Sequence, residues 1–133
     1  MLKINQDFYI FPEDVYGVGN ASSHRLSVLR EGEIDTYEIR SVKMVVANGK
    51  GVSVFTLKGL QDEGLTGFAW LFARDTTLEH GLKLVDDNKP EHYTIAPVVN
   101  MPLDEYKGLL ERMGVKCKKY LKIKKGGAME KIA

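Results

Sequence analysis

The chain has 133 residues, a formal net charge of +1 and one cysteine, Cys117. Hydrophobic residues at 44% and charged residues at 28% exclude a disordered chain, and a lone cysteine excludes an internal disulfide framework. No apolar run approaches the roughly 18 residues of a membrane span, and the start, Met1 to Asp7, lacks the basic and apolar regions of a secretory signal, so the expected location is the cytoplasm.

In chain order, Phe8-Tyr9-Ile10-Phe11 reads as a strand stopped by Pro12, which cannot donate to a ladder. Tyr16 to Ser23, rich in Gly, Ser and Asn, reads as a loop, and Arg25 to Leu29 as a strand with alternating apolar positions. Glu31-Gly32-Glu33 breaks it. Thr36–Ile39, Lys43–Val46 and Val52–Phe55 follow as strands, and Asn48-Gly49 between the last two predicts a tight hairpin. A short helix is expected from Leu57 to Glu63. Phe68–Phe72, Leu82–Val85 and Tyr93–Ala96 complete the strands.

A second helix is better marked. Pro102 suits its first turn, Asp104 and Glu105 face the positive end of the dipole, and Gly114 stops it. Leu103, Tyr106, Leu110 and Met113 form its apolar stripe. Short strands with few intervening helices predict an α+β fold, mainly antiparallel, with one or two helices. Residues 1–125 are expected to form one domain and residues 126–133 a tail beginning with a Gly-Gly pair.

The near-neutral charge hides an asymmetry. Val115 to Lys125 carries six lysines and no acid, which leaves the remainder at −5. Such an end is either a solvated face or a patch for nucleic acid or an acidic protein, and the second option defines a non-enzymatic binding module.

Familiar chemical signatures are lacking. Gly17-Val18-Gly19 has no third glycine, and Gly49-Lys50-Gly51 lacks the Ser or Thr of a phosphate loop. His24, His80 and His92 have no ligand spacing, so no metal is expected. Three features remain: Ser53 on a strand after a glycine-rich turn, Arg25 after a Gly/Ser/Asn loop, and the pair His92-Tyr93 before an apolar strand.

Taken together, several segments resemble one family. They are Gly49-Lys50-Gly51-Val52-Ser53-Val54-Phe55, Trp70, Thr76 to Leu82, His92-Tyr93-Thr94-Ile95-Ala96-Pro97, and Met101-Pro102-Leu103-Asp104-Glu105-Tyr106 with Leu109-Leu110. The pattern is similar to the bacterial type VI secretion effector toxins with an ADP-ribosyltransferase-like domain, the family of the second type VI exported effector of Pseudomonas. The resemblance runs over residues 24–113.

It implies a cytoplasm-acting toxin that uses or cleaves NAD as substrate, with a cognate immunity protein as partner. The Gly-Thr-Ser-Val-Phe strand of such toxins is matched at Ser53, with Val52 in place of the threonine. By the same resemblance Arg25 is the early arginine that holds NAD, and Arg25, Ser53 and His92 are the expected catalytic group. Arg25, Ser53 and Tyr93 are expected to bind the dinucleotide. Glu91 is a candidate carboxylate by position, and His92 is open between a ligand-binding and a core role.

Overall fold

The computed structural model describes residues 6–126 and 128–132. Its elements are β1 (Gln6–Phe8), β2 (Val15–Gly19), β3 (Thr36–Ile39), β4 (Val42–Val45), β5 (Val52–Phe55), α1 (Leu57–Asp62), β6 (Gly67–Phe72) and β7 (Leu82–Asp86). They continue as β8 (His92–Pro97), β9 (Met101–Pro102), α2 (Leu103–Gly114), β10 (Lys118–Ile123) and β11 (Met129–Lys131). Eight strands form one sheet in the order β1-β7-β8-β5-β2-β6-β10-β11, and β3-β4-β9 form a second. All pairings are antiparallel. The fold is α+β, as the pattern of short strands and two helices predicts.

The two faces of the large sheet are covered differently. On one face α2 brings Tyr106, Leu110 and Met113 against Val15, Val54, Phe72, Leu84 and Ile95, the main core. Asp104 and Glu105 open that helix and Arg112 lies in its last turn, each favourable to the dipole. On the other face Leu60 of α1 packs on Tyr16, Ala69, Leu71, Leu121 and Ile123. Thr56 caps α1, its Oγ1 accepting from the Gly59 N–H at 3.1 Å.

Five departures from the sequence pattern matter. The first half of the expected loop at Tyr16–Ser23 is β2, an interior strand between β5 and β6. Its glycines disguise it: a Cβ at Gly19 would lie 2.3 Å from the Ser23 carbonyl oxygen, so only glycine lets the returning chain pass.

The expected strand Arg25–Leu29 is instead a turn-rich loop. Side chains there capture the backbone donors that a ladder would need: Asn20 Oδ1 accepts from the Ser22 and Ser23 N–H groups, Ser23 Oγ from Arg25, and His24 Nδ1 from Leu26.

Asn48-Gly49 makes no hairpin, because β4 pairs with β3 and β9 while β5 pairs with β8 and β2. The two-residue hairpin is Arg40-Ser41, with φ of 50° and 67°, the left-handed pair of a type I′ turn. The first strand ends at Phe8, and Ile10 adds only an isolated bridge to Thr77. Finally, Met129–Lys131, within the expected tail, is β11 on β10.

The basic segment is β10 and its approaches. Lys116 Nζ donates to the Thr77 carbonyl at 2.7 Å, and Lys119 Nζ to that of Ala21 at 2.9 Å. Lys122 sits over the Phe68 ring and Lys124 pairs with Glu130. Much of this charge therefore ties the fold together.

Candidate functional site

The large sheet opens between two of its central strands. β2 and β5 share the single pairing Tyr16↔Phe55 and then diverge, β2 following β6 through five pairs and β5 following β8 through four. A cleft of about 390 Å³ occupies the divergence, lined by Val18 of β2, Ser53 and Phe55 of β5, Arg25 and Arg30 of the loop between β2 and β3, and Glu63 beyond α1.

Strand alternation builds one wall. Ser53 and Phe55 are two residues apart and stand opposite Thr94 and His92 on β8, so all four side chains share a face. His92 is 6% exposed, its Nε2 lies 3.0 Å from Ser53 Oγ, and its ring meets Phe55 edge-on at 5.2 Å. Burial lowers the His92 pKa below its ordinary 6.5, against an opposing pull from Asp87, so the ring is neutral at pH 7. Its Nδ1 is 3.6 Å from Asp87 Oδ1 and has no partner at hydrogen-bond distance.

Tyr93, expected to bind the dinucleotide, is on the opposite face. Its hydroxyl donates to Glu13 Oε2 at 2.5 Å and its ring packs edge-on against Phe8. Neighbours on a strand point to opposite sides, so His92 and Tyr93 do not line one cleft. Burial raises the Tyr93 pKa well above the ordinary 10, as a hydrogen-bonded core phenol requires.

The loop wall presents Arg25 in the left-handed region, φ 58°. A non-glycine residue there is strained by about 1 kcal/mol or more, and such strain gathers at functional sites. His24 anchors the loop: its ring is edge-on to Trp70 at 6.2 Å, its Nε2 is 3.4 Å from Glu111 Oε2, and a Cβ at Gly114 would strike it. Trp70 Nε1 in turn donates to the Asn20 carbonyl at 3.0 Å.

Thus Arg25 and Ser53 meet at one cleft with His92 directly behind Ser53. Glu91 does not join them. It accepts from the Thr56 hydroxyl at the start of α1 and lines a separate depression with Asp14 and Arg74. The carboxylates at the cleft are Glu63, paired with Lys89 at 3.4 Å, and Glu33, which accepts from the Arg30 N–H at 2.6 Å.

Sequence reasoning missed Phe55, Arg30, Glu33 and Glu63. Only Phe55 carried a signal, its two-residue spacing from Ser53. Among the described residues no group of three or more His, Cys, Asp or Glu is placed to hold a metal ion. Nor is any helix among them long and apolar enough to cross a membrane.

Comparison with known proteins adds one finding. The family model described as Tse2 ADP-ribosyltransferase toxin matches residues 18–120, a span that holds Arg25, Ser53, His92 and Asp87 together with all of α2. No curated protein and no solved structure matches the chain.

Proposed function

From the premise that the chain belongs to the Tse2 ADP-ribosyltransferase toxin family, we propose that it acts in the cytoplasm by cleaving the nicotinamide–ribose bond of NAD. The convergence of Arg25 and Ser53 on one cleft, with His92 at 3.0 Å behind the serine, carries this reading. The cleft volume of about 390 Å³ falls in the range of small-molecule sites.

The reaction asks three things of a protein, and residues at the cleft suit each. The diphosphate must be held, and Arg25 offers a planar fork of donors, with Arg30 adding charge beside it. The ribose must be oriented, a task for the Ser53 hydroxyl, itself held by His92. Positive charge develops on the sugar as nicotinamide leaves, and the Glu33 carboxylate at the cleft favours it, Glu63 being already paired with Lys89. Phe55 supplies an apolar wall. Tyr93, facing Glu13, has no part in binding.

Delivery by a type VI apparatus and neutralisation by a cognate immunity protein follow from the same family reading. A nucleic-acid module built on Lys116–Lys125 is disfavoured, since Lys116, Lys119 and Lys124 have internal partners.

Inducible cytoplasmic expression tests the proposal. Wild type should arrest growth while cellular NAD falls, and Arg25→Ala and Ser53→Ala should each restore growth. Equal growth of all three cultures overturns it.

A further inference from the structure

Three groups lie in sequence across the β5–β8 wall. Ser53 Oγ is 3.0 Å from His92 Nε2, and His92 Nδ1 is 3.6 Å from Asp87 Oδ1. Nothing in the toxin reading above uses Asp87, which follows β7 in the turn that leads to β8. We propose that Asp87 is a positioning residue of this site: it holds the His92 proton on Nδ1, so that Nε2 accepts the Ser53 hydroxyl proton and Ser53 turns its lone pairs toward the cleft.

Neutral imidazole carries one donor and one acceptor nitrogen. A proton on Nε2 would leave the Nδ1 lone pair facing a carboxylate, buried and repelled. With the proton on Nδ1 the same carboxylate is its acceptor, and a contraction of about half an ångström completes the bond, the tightening usual when a site closes. Nδ1 is buried and without a hydrogen bond, a condition proteins rarely leave standing away from functional sites.

Asp87 is itself aimed. Its Oδ1 accepts the Lys89 N–H at 3.2 Å, which fixes the carboxylate within the turn. The other groups around His92 are Ser53 and Phe55 of β5, Lys89 of the same turn, and Glu63 beyond α1. Lys89 and Glu63 pair with each other at 3.4 Å, so their charges largely offset at the ring and Asp87 sets the local bias.

The consequence for the ligand rests on the NAD reading. With its proton committed to His92, Ser53 accepts a hydrogen bond from whatever faces it. The ligand group opposite Ser53 must then be a donor, which a ribose hydroxyl is and a phosphate or amide oxygen is not.

Long-range proton–nitrogen NMR of the His92 ring tests this in wild type, Asp87→Asn and Asp87→Ala, alongside NAD turnover. Asp87 is exposed, and Asp87→Asn retains an oxygen for the Lys89 turn bond, so folding is preserved. Wild type at pH 7 should show protonated Nδ1 and bare Nε2. Both variants should move the proton toward Nε2 and lower the His92 titration midpoint, because a stabilising negative charge is gone. Their kcat should fall, by up to about a hundredfold, with KM nearly unchanged, since Arg25 is untouched. Protonated Nε2 in wild type, or identical ring spectra in all three proteins, overturns the proposal. Protonated Nδ1 in a wild type that turns over no NAD upholds the positioning role and counts against the NAD reading instead.

Discussion

The strand wall of the cleft and its loop wall present their key side chains by different physics. β5 and β8 are joined through four consecutive pairs, and beneath them Val54 and Ile95 are fully buried. Ser53 and His92 point where the pleat sends them. The loop opposite has no ladder. Arg25 is held by side chains that bond neighbouring N–H groups, by the His24 ring wedged against Trp70 and α2, and by Lys119 reaching back from β10 to the Ala21 carbonyl. A strand wall inherits direction from local alternation, whereas a loop wall borrows it from distant elements.

Damage to the two walls should therefore look different. Ile95→Ala strikes the strand wall and should cost about 2–5 kcal/mol, since a fully buried side chain leaves a cavity. Denaturant unfolding should show one cooperative transition at a much lower midpoint, and a midpoint within error of wild type would refute the account. Gly19→Ala strikes the loop wall, because its Cβ would lie 2.3 Å from the Ser23 oxygen and 2.8 Å from that of His24. Its cost should be about 1–3 kcal/mol. Hydrogen exchange should quicken over residues 21–30 and stay slow in β5, and uniform acceleration of both would erase the distinction.

The smallest effect is a pH dependence that belongs to the strand wall. Burial holds the folded His92 pKa below its unfolded value near 6.5. As pH falls through about 6.5 the unfolded chain takes the proton first, so stability declines until the folded pKa is passed and then levels off. Thermal melts from roughly pH 7.5 to 4.5 should show this decline, and His92→Gln should lack that share of it. Parallel curves for the two proteins would show that the ring does not titrate differently on folding.

The strand wall was also the legible one. Val52–Phe55 and Tyr93–Ala96 read as strands from composition, and α2 from its capping charges and apolar stripe. Alternation along β8 separates Tyr93 from its neighbour His92 and turns it to Glu13, away from the cleft. The loop wall misled more. Gly17 and Gly19 made a strand look like a loop, and Leu26 and Val28 made a loop look like a strand. The resemblance over residues 24–113 also stopped short, since the family match runs from 18 to 120 and takes in Lys119, the residue that ties the basic strand to the Arg25 loop.

The balance of charge along the chain acquires a structural meaning from this. The basic end is the next strand of the sheet, and several of its surface lysines bond to neighbouring parts of the chain. By itself the amino-acid sequence determined the fold class, most strands and both helices, because periodicity and capping act over a few residues. Only the tertiary structure decided that β5 leaves β4 for β8, that β2 parts from β5 to open a cleft, and that Arg25 arrives there from a loop. Those outcomes depend on which distant surfaces bury one another, and no local pattern encodes that choice.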